Sequence, residues 1–421
     1  MKKFINLIKW FYPGLRVKRW IGLLLIGVAF ILVSSVNLSK DIHVVVAIFY
    51  KTLFTVGLLA LILGIAYLIK SFFDAIYPHN DKALLDIIYE KRLLSKGPKI
   101  VAVGGGTGLS TILEGLKEHT SNITAIVTVA DEGGSSGRIR EEFGILPPGD
   151  IRNCLVSLAE APKLMRDLFQ YRFEEGKGIK GHSFGNIFIT ALAEVTGSFE
   201  AAVKESSRVL AIRGRVLPSS LDKIRLKAEY VDGSTREGED KIPEEEKPIK
   251  KISIMPFDAK ANPEALDAIR KAEIIILGPG SLFTSILPNL LIEGITDVIV
   301  RSNALKVYIC NVMTQHGETD VFTAADHVET IFSHTKKQLI NCCFVNTGRL
   351  GYNLLLKYSK EKSFPVIADK SRLFNMGVEV VEGDFVSKVD YLRHDAVTTA
   401  KKINQIYNLW KRKWKGLKRN S

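Results

Sequence analysis

The chain has 421 residues, of which 46% are hydrophobic, and a formal net charge of +13. Its basic side chains are concentrated at the two ends, since residues 1–99 hold 14 Lys/Arg against 5 Asp/Glu and residues 401–421 hold 8 Lys/Arg and no acid. The remaining centre is slightly acidic and has no overall field that would attract a polyphosphate, so we predict no nucleic-acid partner. The four cysteines form no Cys-x-x-Cys pair, which favours buried free thiols over a zinc site.

Two long apolar stretches lie near the N-terminus. Residues 20–39 carry no charged side chain, and residues 48–70 are interrupted mainly by Lys51. Because a membrane span needs roughly 20 apolar residues and the link between the stretches is short, we predict a transmembrane hairpin over residues 1–75. The alternative is a cleaved signal peptide followed by a core helix.

Positive charge flanks both outer ends of this hairpin, which predicts a multi-pass protein of the inner membrane with both termini and the soluble domain in the cytoplasm. Residues 76–98 have apolar positions at helical spacing and are interpreted as an amphipathic linker helix. The basic segment 401–421 interleaves tryptophans with cations. It suits an anionic leaflet, and a solvated, disordered tail is the alternative.

Residues 99–400 alternate short apolar runs with helical stretches, which predicts an α/β fold: a Rossmann-like, mostly parallel sheet with helices on both faces. A small β excursion at 225–256 has a hairpin signal at Asp232-Gly233 and a charge-rich part, residues 236–251, interpreted as solvated.

The first glycine-rich loop, Gly104-Gly105-Gly106-Thr107-Gly108, follows a predicted strand over 100–103 and precedes a predicted helix over 109–118. Glycines let backbone N–H groups turn inward, and a helix N-terminus adds partial positive charge, so the unit predicts an anion cradle. Leu109 stands at the third glycine position of the dinucleotide fingerprint, and the loop has no P-loop lysine. A glycine turn without a ligand is the alternative.

Two further loops follow the same logic. A predicted strand over 123–130 ends at Asp131, before a Gly/Ser-rich loop over 132–138, and Gly278-Pro279-Gly280-Ser281 follows a predicted strand over 273–277. Asp131 is suited to a ribose hydroxyl or Mg²⁺, and an arginine at the end of its loop is suited to a phosphate. Because parallel strands end at one sheet edge, we expect the three loops to form one ligand site. Asp150 is predicted to cap the helix after Pro147-Pro148.

Long sequence motifs carry a resemblance. The two outer glycine loops, together with residues 128–138, 147–153 and 181–186, are similar to the CofD/YvcK-like family, and residues 308–319 resemble its YvcK branch in particular. The resemblance covers about residues 99–400 and implies a Rossmann-like core. It also implies one of two activities. YvcK-type proteins, called gluconeogenesis factors, bind UDP-N-acetylglucosamine and influence carbon metabolism, cell-wall synthesis and cell shape. CofD-type proteins are Mg²⁺-dependent transferases that move a 2-phospholactyl group onto a deazaflavin.

The residues and the resemblance together define the predicted site. Phe283 departs from the tyrosine common in this branch, so its ring is expected to stack without a hydroxyl hydrogen bond. His182 and Asn186 are either ligand contacts or helix caps. The predicted ligand-binding residues are Gly104, Gly105, Gly106, Thr107, Gly108, Asp131, Gly134, Ser135, Ser136, Arg138, Asn153, His182, Asn186, Gly278, Gly280, Ser281, Phe283, Thr284 and Asn311.

The expected partners are a nucleotide sugar or nucleoside diphosphate in the domain and the lipid bilayer at the hairpin, and a homodimer is left open. The favoured function is a membrane-tethered nucleotide-sugar-binding regulator without an assigned catalytic residue. The alternative is the transferase, in which Asp131 would be catalytic and would hold Mg²⁺, the one candidate cofactor.

Overall fold

A computed structural model of the chain describes residues 17–38, 44–76, 91–387 and 393–419. It divides into two compact units, residues 1–90 and 91–421. The predicted linker helix over 76–98 falls largely outside the described residues, as does the short link of the hairpin.

The described part of the N-terminal unit consists of two long helices, α1 (Val17–Leu38) and α2 (Val44–Ile76). Both are long and apolar enough to cross a membrane, with mean hydropathies of 2.2 and 2.4 over their spanning windows. The two predicted apolar spans are therefore helices in the structure, and by length and composition they could cross a membrane.

Small residues hold α1 and α2 close together. A Cβ on Gly27 would lie 2.9 Å from the carbonyl oxygen of Gly57. Trp20, near the start of α1, stacks on Tyr67 of α2 with ring centroids 4.3 Å apart. Glycines at such crossings let two helix backbones approach, as is common between membrane helices. An earlier residue of α1 contacts a later residue of α2, so the two helices are antiparallel.

The second unit is an α/β domain. Its strands are β1 Ile100–Gly104, β2 Ile123–Val127, β3 Arg215–Pro218, β4 Arg225–Tyr230, β5 Thr235–Glu237, β6 Ile249–Met255, β7 Ile274–Leu277, β8 Leu305–Ile309, β9 Cys342–Asn346, β10 Glu379–Gly383, β11 Val386–Ser387 and β12 Arg393–His394. Its helices are α3 Gly106–Leu116, α4 Gly134–Phe143, α5 Gly149–Leu158, α6 Lys163–Gln170, α7 Phe184–Thr196, α8 Phe199–Val209, α9 Pro263–Lys271, α10 Leu287–Leu291, α11 Ile295–Arg301, α12 Ala324–Thr335, α13 Tyr352–Lys360, α14 Lys370–Asn375 and α15 Ala396–Arg419.

Seven parallel strands form the central sheet in the order β10-β9-β8-β7-β1-β2-β3. Successive side chains of β1 alternate between two cores. Val101 and Val103 face one core with α11 and α12, whereas Ile100 and Ala102 face the other with α3, α5 and α15. Because both faces are covered, the strands are continuous apolar runs, as expected for a parallel sheet. The predicted fold class is confirmed.

The β excursion is a three-stranded antiparallel sheet in the order β5-β4-β6, with the predicted hairpin between β4 and β5. Its charge-rich part is not simply solvated, which corrects that prediction. Ile242 is fully buried and Ile249 is 8% exposed, both in the domain core, and the hydroxyl of buried Tyr230 donates to the carbonyl of Ile242 at 2.8 Å. These apolar side chains anchor the segment to the core, while most of its charged side chains are exposed.

Three local predictions are wrong at the glycine-rich segments. Helix α3 begins at Gly106 rather than Leu109, and the predicted loop over 132–138 is the start of helix α4. Asp150 is not the N-cap of α5, because Pro148 holds that position and Asp150 lies in the first turn. Glycine and serine disfavour helices intrinsically, but burial of these turns against the sheet outweighs that preference.

The basic C-terminal segment begins inside the domain, since α15 runs through the predicted boundary at residue 400. Ile403 and Tyr407 are buried in the core on the face of the sheet that α3 and α5 cover. The Tyr407 hydroxyl and the Lys411 ammonium both contact the Glu273 carboxylate, at 2.5 and 3.1 Å. The first turns of this segment are therefore structural.

Helix α3 lies very close to α15 at Gly115, where a Cβ would be 1.9 Å from the carbonyl oxygen of Ala396. We predict that Gly115→Ala lowers the free energy of unfolding of the domain by about 1–3 kcal/mol, because overpacking outweighs the gain in helix propensity. Gly351→Ala is the matched control, since a Cβ there meets nothing within 4 Å. Urea denaturation compares the two, and equal stability of both variants would contradict the packing argument.

Candidate functional site

The strand order creates a crevice at the edge where the parallel strands end. Strand β1 lies between β2 and β7, so the chain turns in opposite directions after β1 and after β7. Ligands of open α/β sheets bind at such a switch point. The two loops approach so closely that a Cβ on Gly108 would lie 2.6 Å from the carbonyl oxygen of Pro279. A glycine at this position lets the loops meet.

Between these loops opens the main cleft, a cavity of about 600 Å³, which is within the usual range for small-molecule sites. Both glycine loops and the segment after β8 contribute to its walls. The cleft is lined by Gly106, Thr107, Gly108, Thr111, Glu239, Pro279, Gly280, Ser281, Thr284, Ser285, Asn311, Val312, Met313, Thr314, Gln315, His316, Glu318, Tyr358, Glu361, Ser363, Arg393 and His394.

Two buried carboxylates organise the glycine loops. Asp150 accepts a hydrogen bond from the backbone N–H of Gly106, at the start of α3. Glu318 accepts from the Ser281 hydroxyl and from the backbone N–H of Phe283, at the start of a π-helical turn, Leu282–Ile286, that follows β7 and leads into α10. Each carboxylate satisfies one donor of a helix N-terminus, and other first-turn amides have no partner within the helix. Gly106, Thr107 and Gly108 place this turn on the cleft wall.

The acidic groups at this edge hold their protons unusually tightly. Burial raises the pKa of Asp150 to about 7, with a further contribution from the charge of Asp131, and burial raises the pKa of Glu318 to about 7. The pKa of Glu239 is raised to about 8, first by burial and then by the charges of Asp131, Asp150 and Glu318. Near neutral pH these carboxyls are therefore partly protonated, which reduces the negative charge at this edge of the sheet.

A second cavity of about 260 Å³ opens beside β2. It is lined by Asp131, Gly133, Gly134, Ser135, Ser136, Gly149, Asp150, Arg152, Asn153, Arg172 and Asn186. An intervening cavity of about 310 Å³ shares Thr107 and Thr111 with the main cleft, and shares Arg152 and Asn153 with the second cavity. The sheet edge thus carries two compartments where the sequence predicts one.

The predicted site residues divide between these compartments. Those that line the main cleft are Gly106, Thr107, Gly108, Gly280, Ser281, Thr284 and Asn311. Those that line the second cavity are Asp131, Gly134, Ser135, Ser136, Asn153 and Asn186. Gly104, Gly105 and Gly278 belong to the loops but line neither cavity. The Gly104 carbonyl, for example, accepts a hydrogen bond from the Asn289 side-chain amide at 3.2 Å.

Three predicted contacts lie elsewhere. Phe283 is only 1% exposed, and its ring packs edge-on against Phe322 in the core, so it is not placed to stack on a ligand. Exposed Arg138 donates to the carbonyl of Lys180 at 3.0 Å. His182 is buried and lies 3.0 Å from the Ser135 hydroxyl through Nδ1, which supports the wall of the second cavity from behind.

The structure adds site residues that the sequence prediction missed. Asp150, Arg152 and Glu318 lie within the motifs at residues 147–153 and 308–319. Membership of those motifs was the sequence signal that could have identified them as site residues. Glu239 lies in the charge-rich excursion and gives no local signal. His394 lines the cleft with its Nε2 3.1 Å from the carbonyl oxygen of Cys310, and burial lowers its pKa to about 4.

A magnesium ion fits this edge only in combination with a phosphate. Among the described residues, no three or more His, Cys, Asp or Glu side chains are grouped closely enough to hold a metal ion. Mg²⁺, however, is often held by one or two carboxylates together with substrate phosphates and waters. Asp131 and Asp150, neighbours in the second cavity, meet that smaller demand.

Residues 100–386 match the family model described as 2-phospho-L-lactate transferase CofD. A curated relative, the gluconeogenesis factor of Bacillus subtilis, is 48% identical over 303 residues, which is 72% of this chain and 96% of the relative. The chain belongs to the CofD family, in its gluconeogenesis-factor (YvcK/UPF0052) group. A crystal structure of a UPF0052-family protein from Bacillus halodurans has a TM-score of 0.71 and 48% identity, and covers 73% of this chain and 99% of that one.

Other relatives of this group match the N-terminal unit as well. A relative from Clostridium acetobutylicum is 46% identical over 411 residues, covering 94% of this chain and 91% of the relative, and one from Nostoc is 43% identical over 423 residues, covering 95% and 92%. Alignments of that extent include most of the hairpin. The Bacillus halodurans structure corresponds to the domain alone, so this fold forms without it.

The raised pKa of Glu239 predicts how the stability of the domain depends on pH. Because the folded carboxyl binds its proton more tightly than the unfolded one, its stabilising contribution is full below about pH 4.5 and is lost as pH rises through about 8. We predict that Glu239→Gln removes this loss and raises the free energy of unfolding at pH 9 by on the order of 1–3 kcal/mol, with little change at pH 4.

Urea denaturation of residues 91–421 across this pH range tests the point. Glu244→Gln, at an exposed acid in the same segment, is the control and should change stability little at either pH. A gain for Glu239→Gln that is equal at both ends of the range would refute the electrostatic origin.

Proposed function

We propose that the domain binds a nucleotide sugar of the UDP-N-acetylglucosamine type in the main cleft and acts as a regulator of carbon metabolism, cell-wall synthesis and cell shape. The observation that carries this proposal is the meeting of two glycine loops at the switch point, beside a cleft of about 600 Å³. Membership of the gluconeogenesis-factor group supports the regulatory role.

The chemistry of the cleft suits a diphosphate with a polar sugar. The first turn of α3 offers backbone N–H groups and the partial positive charge of a helix N-terminus to an anion. Opposite this turn, the Asn311 side chain accepts from the Gly280 N–H at 3.3 Å and donates to Gln315 at 3.2 Å, so neutral amides and hydroxyls form that wall. Such groups hydrogen-bond sugars and bases without adding charge.

The apolar helices support a membrane tether for this regulator. With positive charge on both flanks of the hairpin, the domain would lie on the cytoplasmic side of the inner membrane, and the lipid bilayer would be its second partner. Relatives that match nearly the whole chain and relatives that match the domain alone both occur, which supports a tether that sets location and a domain that binds the ligand.

Thr107 gives a direct test because it is exposed, lines the cleft and lies in the first turn of α3. We predict that UDP-N-acetylglucosamine raises the melting temperature of residues 91–421 and that Thr107→Asp weakens its binding about tenfold or more. A carboxylate there repels the diphosphate, yet it is favourable to the helix N-terminus, so the fold is retained.

Thr107→Ser is the matched control and should keep the ligand-induced shift, which at a hundredfold excess over Kd corresponds to about 2.7 kcal/mol. Differential scanning fluorimetry and calorimetric titration supply the measurements. Absence of any shift with UDP sugars in the unmodified domain would reject the proposed ligand class.

The competing function is a Mg²⁺-dependent transferase of the CofD type. It is favoured by one observation, the neighbouring Asp131 and Asp150 carboxyls in the second cavity next to the cleft. Asp131 and Asp150 would hold Mg²⁺, which would stabilise charge on a diphosphate when bound.

The regulator proposal predicts no product when the domain is incubated with Mg²⁺, a deazaflavin acceptor and a nucleotide-activated 2-phospholactate. Mass spectrometry of the acceptor is the measurement. Product that appears with the unmodified domain and disappears with Asp131→Asn would establish the transferase instead.

A further inference from the structure

Three helix N-termini converge on the second cavity. Its wall includes the first turns of α4, α5 and α7, contributed by Gly134, Gly149 and Asn186 among others. The N-cap residues of α4 and α5 are Gly133 and Pro148, and neither makes a side-chain cap hydrogen bond. Because each N-terminus carries partial positive charge and backbone donors, the cavity is surrounded by groups that favour an anion.

Arg152 lies in the wall of this cavity and is only 9% exposed. Its guanidinium donates to three neutral oxygens: the hydroxyl of Ser183, the side-chain oxygen of Asn186 at 3.1 Å and that of Asn153 at 2.7 Å. Its Nε has no hydrogen-bond partner within the described part of the chain, where Arg152 also forms no ion pair. A buried charge is costly unless an opposite charge compensates it, so this guanidinium lacks a close anionic partner.

The carboxylates nearby are engaged with other donors. Asp131 accepts from the Gly133 N–H at 3.0 Å and from the Ser136 hydroxyl, whereas Asp150 accepts from the Gly106 N–H at the start of α3. Both act on Arg152 through longer-range attraction.

Arg172 adds a second cation. It is exposed, lines the same cavity and donates to the carbonyl of Gly181 through one of its nitrogens. Two guanidinium groups therefore face a space that three helix N-termini surround. Planar guanidinium forks match the oxygens of phosphate better than any other side chain.

We propose that the second cavity binds the phosphoryl group of a small ligand other than the one in the main cleft, with Arg152 and Arg172 as its charge partners. Its volume of about 260 Å³ suits a small phosphorylated metabolite rather than a nucleotide. The intervening cavity joins the two compartments, so both ligands can be bound side by side. This second site goes beyond the proposed function and does not depend on it.

Inorganic phosphate is the probe, and residues 91–421 are the sample, since a relative that corresponds to this domain alone has been crystallised. Thermal melts are recorded against millimolar phosphate, with sodium chloride keeping the ionic strength constant. Phosphate should raise the melting temperature of the unmodified domain. Arg152→Gln should weaken the apparent phosphate affinity about tenfold or more, and Arg172→Gln should weaken it in the same direction.

Arg140→Gln is the matched control. Arg140 is 8% exposed, is ion-paired with Glu132 at 3.6 Å and lines none of the three cavities, so this change should cost stability and leave the phosphate shift intact. If Arg152→Gln does not fold, Arg172→Gln decides the test alone, because Arg172 is exposed.

Thr107→Asp distinguishes binding in the second cavity from binding in the main cleft, because Thr107 lines only the latter of the two. The proposal requires that the phosphate shift survives Thr107→Asp and that any UDP-sugar shift survives Arg172→Gln. It is overturned if phosphate does not stabilise the unmodified domain, if its effect persists in both arginine variants, or if Thr107→Asp abolishes it, since phosphate would then occupy the main cleft. Loss of UDP-sugar binding alone would reject the proposed function and leave this site standing.

Discussion

The close approach of the loops after β1 and β7 is the constraint on which the rest of the domain depends. The strand order makes these two strands neighbours, and Gly108 lets the first turn of α3 pass the carbonyl of Pro279 without a clash. The cleft exists because two helices begin side by side at the same sheet edge. First-turn N–H groups and the partial positive charge of a helix N-terminus favour an anion at such a place.

Buried carboxyls hold this edge together at an electrostatic cost. Asp150 and Glu318 each accept from the start of a helix, which fixes the loops, yet burial raises the pKa of both to about 7. Arg152 is the opposite case, a buried cation bonded to neutral oxygens. Strained electrostatics of this kind are typical of binding sites, where ligands supply the missing partner.

The fold was largely predictable because periodicity and strand–loop–helix order are local signals. The apolar runs at 100–103 and 273–277 predicted strands of a parallel sheet, and the glycines after them predicted the edge at which the loops meet. The prediction failed for the backbone conformation of glycine- and serine-rich segments, where packing rather than propensity decides: residues 134–138 were predicted as part of a loop and form the start of α4. The division into two cavities and the position of Glu239 could not be predicted, since both depend on contacts between segments far apart in sequence.

Helix α15 has a consequence for any shortened version of this domain. It packs directly against α3 at Gly115, and the first turn of α3 lines the cleft. A truncation that discarded the basic C-terminal segment together with α15 would uncover apolar surface of α3, against which Ile403 and Tyr407 are buried. Such a truncation would therefore destabilise the helix that forms one wall of the cleft.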